Sequence, residues 1–498
     1  MIDFILKENN DGPFDLKSTL KTYTYDQDKF IHPQITYAKI YKKVINNIEN
    51  TKLITIEEEP PVFSYDFSNG ELTTHGKGVT IEQAKSSAIM EFCERYSWLN
   101  FDYKNAPGYM VDSLNELSKK DDMSYIEPAF VFHSIENSKE FEPHLKSIPI
   151  KWIDGFSLTN NKTVKYPLSW INYMHGSNGI CTGNIKEEAI VQGICEIVER
   201  NNCNKFIRNY KNEKINIIDN NSIEHPGFKE ILKFLKKEKT ELYLLHIPTG
   251  CDLPVIMAWC NNNDLLPQII QSGVGYGCHT DPVKAVLRAV TEYFQGRTGI
   301  IKAQQKLPFK MAMTKSNYIF NLDIDMQWIV KNNKHIPIHN IKNISSNDFK
   351  EEIDCLIEIT KQSGFEIIIA NKKHTRLNVP VYRVFSPQTE PPVDLCNNYY
   401  IPEWIIAQMY YEAGMIEQSE EIIEKYKDQI PGFMYSMINN FAIPMFGSGI
   451  SNLLKNIIKS TKLNANQLCK KDYLIVQESV AYIKKSAEET LKDFTGFK

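Results

Sequence analysis

The sequence predicts an α/β (α+β) protein: one large core of mixed sheets packed with helices, followed by a C-terminal helical appendage. Three observations point there. Short β-branched and aromatic runs bounded by Gly, Pro or Asn recur between residues 62 and 385 and read as strands. Three long helical stretches among them begin alike, with glycines and then a small polar cap at Thr80, Asn184 and Asp281. After Pro391-Pro392 the pattern turns helical. With 498 residues and 42% hydrophobic content the chain is large enough for two or three domains or for one big core with an appendage. The segmentation we expect is 1–60 as an N-terminal leading segment of the core, 61–390 as the core and 391–498 as the helical region.

In chain order, Ile35 to Ile48 is helix-like with Pro33 near its start, and Val62 to Phe67 reads as a strand into a turn at Asn69-Gly70. Thr80 and Gln83 form a capping box for a helix over 80–100. Residues 148–153 and 163–168 are strands around an Asn160-Asn161 turn. Asn184, with Glu187 three residues on, caps a helix from about 185 to 206. Leu242–Ile247 and Val255–Trp259 are strands joined through Gly250-Cys251-Asp252. Asp281 caps a third helix, Pro282 takes its first position, and it runs to about Gly296. Helix over 348–363 and strands over 365–370 and 381–385 complete the core. Glu420–Tyr426 is charged and periodic, and Ile475–Phe494 is amphipathic.

Net charge is −4, which gives no general attraction to nucleic acid or to an anionic membrane. No apolar run reaches 18 residues, and Met1–Glu8 lacks a basic start, a long apolar stretch and a cleavage site, so the chain reads as cytoplasmic. The ten cysteines are scattered with no CxxC and no zinc spacing; they read as reduced, buried, small apolar side chains.

The three capped helices share a second feature. Glu91, Glu94 and Arg95 lie 11 to 15 residues after the first cap; Glu196, Glu199 and Arg200 follow the second; Glu292, Gln295 and Arg297 follow the third. Acids three apart on a helix point the same way and repel. Their flanks, Ala84, Ala88 and Phe92 or Ala189, Gly193 and Ile197, are small or apolar, so these faces are not fully solvated. Buried like charges need a partner, and a hard cation bridging carboxylates to phosphate oxygens supplies one. For a single ExxER the ordinary reading is a solvated, salt-bridged face, because exposed ion pairs are common and weak. Three copies shift the reading to a shared site for metal and an anionic ligand, a nucleoside triphosphate.

The glycine segments have an ordinary reading too, as flexible loops. Gly273–Gly277 is no dinucleotide fingerprint and the chain has no GxxxxGK[ST]. A helix N-terminus behind a glycine turn still offers backbone N–H groups to phosphate, with Asn178, Asn184 and Lys77 placed to help. His279, beside the third cap, reads either as a ligand contact or as a satisfied loop histidine.

Together, GKGVTIEQAKSSAIMEFCER (76–95), SNGICTGNIKEEAIVQGICEIVER (177–200) and GCHTDPVKAVLRAVTEYFQGR (277–297) resemble the YcaO family of ATP-dependent proteins that activate backbone amides. The three motifs stand in family order and the resemblance spans about residues 25 to 390; the second and third blocks are especially similar to the family's enterobacterial member. The resemblance implies a YcaO-type core with an ATP site lacking a Walker motif and two or more Mg²⁺ ions. It implies Glu91, Glu94, Glu196 and Glu199 as metal ligands, with Glu292 of the third helix beside them. It implies nucleotide contacts from Asn184, Glu188, Arg200, Arg297 and Gln295, and, from a basic residue followed seven positions later by Ser or Thr, from Lys29 and Thr36. Glu199, Arg200 and Arg297 would act in catalysis. Cys181 stands where the enterobacterial member has a nucleotide-contacting serine, which removes that hydroxyl.

The implied chemistry is addition of a nucleophile to a peptide carbonyl, phosphorylation of the resulting oxygen by ATP, and loss of phosphate. An internal Cys, Ser or Thr gives an azoline; external sulfide gives a thioamide. Azoline-forming members commonly end in PxPxP, whereas no proline follows Pro444 here, so thioamide formation on a peptide or protein, with a separate TfuA-like or other sulfur-delivery partner, is the leading expectation. The alternatives are azoline cyclodehydration of a ribosomal peptide and a nucleotide-binding accessory role in ribosomal protein S12 methylthiolation. Tyr410–Met415 faintly resembles a tetratricopeptide turn, a helical hairpin expected to serve as a homodimer or partner surface.

Overall fold

The computed structural model describes residues 12–21, 33–57, 61–120, 122–128, 138–213, 215–248, 250–262, 272–306, 325–389 and 402–426. Helix α1 (Pro33–Ile45) precedes strands β1 (Lys52–Glu57), β2 (Phe63–Ser68) and β3 (Thr73–Gly78) and helix α2 (Ile81–Leu99). Next come β4 (Met110–Asp112), α3 (Leu114–Leu117), α4 (Ser138–Ser147), β5 (Ile150–Ser157), β6 (Lys162–Pro167), α5 (Leu168–His175), β7 (Ile180–Thr182) and α6 (Lys186–Asn209). The chain continues through β8 (Asn216–Ile218), α7 (Pro226–Lys237), β9 (Glu241–His246), β10 (Val255–Asn261), β11 (Ser272–Cys278) and α8 (Pro282–Lys306). It closes with α9 (Met326–Asn332), β12 (Lys334–Ile336), α10 (Phe349–Gln362), β13 (Ile368–Asn371), β14 (Val381–Phe385), α11 (Pro402–Glu412) and α12 (Ile416–Tyr426).

The strands form three sheets, ordered β1-β2-β3, β11-β10-β9-β8-β12 and β4-β5-β13-β14-β7, with β6 paired to β5. The β12–β8 pair is parallel, and the other pairs are antiparallel. This is the mixed α/β architecture expected. Helix α6 is the central element. It packs on β7 and β14 of one sheet, on β10 and β11 of another, and on α10, so it buries residues on all sides, among them Ile194, Val198 and Phe206.

Two expectations change here. His75–Gly78 and Gly273–Gly277 are strand, not turn. Their glycines, and Gly193 of α6, serve close approach. A Cβ on Gly76 would lie 2.1 Å from the Ala84 carbonyl oxygen, one on Gly275 2.2 Å from that of Ala289, and one on Gly193 2.4 Å from Val384 Cγ2. Each of α2, α6 and α8 follows its own strand, β3, β7 or β11, and packs on it. Each helix also touches the strand of the next unit: α2 meets β7, α6 meets β11 and α8 meets β3. Three strand–helix units thereby close a ring, and the missing side chains let the helices sit down on it.

The caps divide in outcome. Thr80 accepts from the Gln83 N–H at 3.2 Å, and Gln83 reaches back to the N–H of Val79 at 2.9 Å. Asp281 accepts from Val283 at 2.9 Å. Asn184 does not cap α6. Ile185 holds that position without a side-chain bond, while Asn184 donates to Thr36 and Glu188 instead. Nor does Glu187 close a box; it accepts from the Lys17 N–H at 2.9 Å. Helix α8 runs on to Lys306, beyond Gly296, since no proline or cap interrupts it.

Helices α11 and α12 form the hairpin expected at Tyr410–Met415, with Gly414 at φ 77° and the Met415 N–H bonded to the Tyr410 carbonyl. Ile406, Ala407, Met409 and Tyr410 join the same apolar cluster as Phe141, Trp152 and Trp170, and the Tyr410 hydroxyl lies 2.7 Å from His144 Nδ1. The expected boundary near residue 390, the amphipathic stretch 475–494 and Lys29 lie outside the described residues. Among the described residues eight cysteines form no disulfide, and seven of them are buried.

Gly76→Ala and Gly275→Ala should each destabilise the fold by about 3 kcal/mol, the upper end of overpacking effects, because backbone rather than a flexible side chain opposes the new methyl. Denaturant unfolding checks this; a loss below about 0.5 kcal/mol would contradict the close approach.

Candidate functional site

The ring of three units brings acids from three separate helices together. On α2, Arg95 lies 3.1 Å from Glu94 and 3.5 Å from Glu91. On α6, Arg200 Nε lies 3.7 Å from Glu199, whose side chain is 10% exposed. On α8, Glu292 is 3.5 Å from Lys77, which reaches across from β3. The groups sense one another across the helices. Burial would lower Arg95, but Glu94, Glu91 and Glu196 outweigh it and raise it. Burial likewise opposes Arg200, while Glu199, Glu292 and Glu196 raise it strongly.

The carboxylates divide by environment. Burial pushes Glu196 up despite Arg200 and Arg95, and pushes Glu199 up despite Arg200, with Glu292 adding to the rise. At Glu292 burial is overcome by Lys77 and Arg200, which hold it below the usual range. Thus the arginines only partly compensate the charges on α6, and divalent cations would complete the compensation. Among the described residues no three His, Cys, Asp or Glu side chains stand close enough to share one ion. In this arrangement Arg95 and Arg200 pair with acids of their own helices, and Lys77 pairs with Glu292.

A second polar group lies at the start of α6. Asn184 Nδ2 donates to Thr36 Oγ1 and to Glu188 Oε2, both at 3.0 Å, and Glu188 also accepts from the Asn184 N–H at 2.6 Å. The buried Asn184 Oδ1 and Asn178 Oδ1 have no hydrogen-bond partner. Gln295 donates to the His75 carbonyl at 2.9 Å and so ties α8 to β3. Arg297 does not join the acids. Its partner is Glu238 at 3.3 Å, at the end of α7, because it stands five residues after Glu292 and so on another side of the helix. His279 is a buried loop residue whose Nδ1 accepts from the Asp281 N–H at 2.9 Å. Cys181 is buried, with Sγ 3.3 Å from the Tyr382 carbonyl, and burial raises its thiol well above the ordinary value.

Arg383 was missed by the sequence reading. It is fully buried and donates to the carbonyls of Gly176 and Asn178, clamping the turn that carries Asn178 and Gly179. The backbone of Gly179 in turn favours the charged form of Glu196. The available signal was one arginine inside an otherwise apolar strand, Val381–Phe385. Arg288, which donates to the Cys278 carbonyl at 3.0 Å and steadies the charge of Glu199, left no such mark on a mixed helix.

Acids from three helices, with Arg95, Arg200 and Lys77 among them, thus come together at one place. Residues 75–390 match the family model described as YcaO cyclodehydratase, ATP- and Mg²⁺-binding. The chain belongs to the YcaO family: it is an ATP-dependent enzyme with ATP and Mg²⁺ as cofactors. Among its relatives is an uncharacterised protein of the tfuA 3′ region of Rhizobium leguminosarum bv. trifolii, 25% identical over 417 residues, covering 77% of this chain and 93% of the relative. A heterocyclase solved with substrate and cofactor superposes with a TM-score of 0.62 at 21% identity over 76% of this chain, which spans 55% of that protein's length. YcaO from Methanopyrus kandleri, solved with AMPPCP and Mg²⁺, gives 0.53 at 20% identity over 74% of this chain and 94% of its own. No helix among the described residues is long and apolar enough to cross a membrane.

The clamp around Arg383 makes a pH prediction. Burial, with Arg383 nearby, lowers His175 from 6.5 to about 3. The unfolded chain therefore takes up this proton first, so stability from the neutral ring is complete above pH 6.5 and is lost as pH falls toward 3. Denaturant unfolding at pH 7 and pH 5 should show His175→Gln losing about 2 kcal/mol less than the parent over that interval. Equal losses in both proteins would contradict the neutral, buried ring.

Proposed function

We propose that this enzyme activates a backbone amide of a peptide or protein by O-phosphorylation, and that sulfide is the nucleophile, so that the product is a thioamide. The observation that carries the amide-activating reading is the meeting of Glu91, Glu94, Glu196, Glu199 and Glu292 with Arg95 and Arg200 in a family that uses ATP and Mg²⁺. The extensive match to a relative named for a tfuA 3′ region supports thioamide formation and a separate TfuA-like partner.

In this reading Glu91, Glu94, Glu196, Glu199 and Glu292 hold Mg²⁺. Bound there, Mg²⁺ would neutralise the triphosphate and the charge that develops as phosphoryl transfer proceeds. Arg200 presents its forked donors to phosphate oxygens, and Lys77 adds a point charge from β3. The unpartnered acceptors of Asn178 and Asn184 would be available to the nucleotide, with Thr36 and Glu188 fixing the orientation of Asn184. Gln295 acts by holding β3 against α8 rather than by touching nucleotide. Arg297 would reach the site only by leaving Glu238.

Azoline formation is the second reading, favoured by the family description as cyclodehydratase. Product mass separates the two: exchange of oxygen for sulfur with hydrosulfide supplied, or loss of water without it.

Glu199→Ala should lower ATP-dependent phosphate release by about 100-fold or more while leaving the melting transition in place, because it removes a metal ligand and relieves repulsion with Glu196 and Glu292. The assay supplies ATP, Mg²⁺, sodium hydrosulfide and a pool of unstructured peptides. A large fall in melting temperature with phosphate release retained would make Glu199 a structural residue and sink the assignment.

A further inference from the structure

The β2–β3 hairpin carries a histidine and an acid at the edge of this site. Asp66 and His75 stand opposite each other in register, and His75 Nδ1 lies 2.6 Å from Asp66 Oδ1. The acid is largely covered at 18% exposure, whereas the histidine is 60% exposed. With the carboxylate accepting, Nδ1 carries the hydrogen, and Nε2, which has no protein partner among the described residues, is left as an open acceptor.

Two contacts and one charge place the pair beside the acids. Gln295 on α8 bonds the His75 carbonyl. Lys77, two residues on and therefore on the same face of β3, reaches Glu292. The charge of Glu91 on α2 is felt at the ring: His75 is raised above its ordinary value first by the Asp66 hydrogen bond, against some burial, and further by the charges of Asp66 and Glu91. A histidine oriented by a carboxylate and open on its other nitrogen suits proton removal from an incoming nucleophile.

We infer that His75, oriented by Asp66, accepts the proton of the nucleophile that attacks the substrate's amide carbon. The inference rests on the amide-activating reading above. As hydrosulfide or a side-chain thiol or hydroxyl attacks, the new bond to the amide carbon forms and the C=O π pair moves onto oxygen. The nucleophile's hydrogen passes to Nε2 of His75. The oxygen takes the γ-phosphoryl group of ATP and ADP departs; the C–O bond then breaks with release of phosphate as the sulfur pair forms C=S in a thioamide, or as the nitrogen pair forms C=N with loss of the amide N–H proton to water in an azoline.

A merely structural pair makes a different forecast, because an ion pair with one partner open to solvent adds little to stability and nothing to turnover. Two measurements on the full-length chain decide. In the first, Mn²⁺ and AMPPCP are added to protein labelled at the histidine Cε1 position, with the His75 resonance identified by its disappearance in His75→Gln. Selective broadening of His75 is expected. Mn²⁺ shown by electron paramagnetic resonance to be bound, with His75 unbroadened, overturns the placement; Mn²⁺ that does not bind refutes the proposed function and this inference with it. In the second, His75→Gln and Asp66→Asn are assayed with ATP, Mg²⁺, sodium hydrosulfide and pooled peptides. His75→Gln should form product at least about 100-fold more slowly. AMPPCP affinity should be unchanged, and added imidazole should partly restore His75→Ala. Undiminished product formation by His75→Ala overturns the inference. If the parent forms no product, the amide-activating reading fails, and the inference falls with it even where the Mn²⁺ placement holds.

Discussion

Repulsion among carboxylates brought out of bulk water is the constraint on which the structure turns. Glu94 and Glu199 are mostly covered, and Glu196 and Glu199 are pushed toward protonation even with Arg200 beside them. Arrangements of this kind are destabilising unless each charge finds a partner. Arg95 and Arg200, each adjacent in sequence to the acid it pairs with, supply that partner locally. This pairing offsets part of the repulsion within each helix.

Backbone packing makes the convergence possible. The acids meet because α2, α6 and α8 each lie on two strands, their own and that of the next unit. That spacing needs glycine at 76, 275 and 277, where any side chain would meet helix backbone. The same residues that read as phosphate-binding turns are thus structural, and they act on the chemistry by setting where the helices lie. Arg383 plays a comparable part from β14, holding the Gly176–Asn178 turn by its carbonyls, next to Gly179, whose backbone meets Glu196 of α6.

Much of this was readable beforehand because it is local. Acid pairs three apart, the Thr80 and Asp281 caps, the Asn161 turn at φ 51° and most strand runs follow from periodicity and turn chemistry. What escaped depends on partners far along the chain. Asn184 looks like a cap in sequence, but Thr36, 148 positions away, captures its side chain. Glycine-rich strands resemble loops until the helix that covers them is known. Arg297 follows Glu292 within one motif, yet helix geometry turns it toward Glu238. Arg383 declares itself only once its strand is known to be buried.

The central claim is that carboxylates from three helices jointly hold divalent ions under a triphosphate. A crystal structure with Mn²⁺ and AMPPCP, read by anomalous scattering, tests it most directly. The account predicts metal peaks between α2, α6 and α8, with ligands from Glu91 or Glu94, from Glu196 or Glu199, and from Glu292. Metal held elsewhere, or Arg95 and Arg200 still paired with these acids beneath a bound nucleotide, would contradict it.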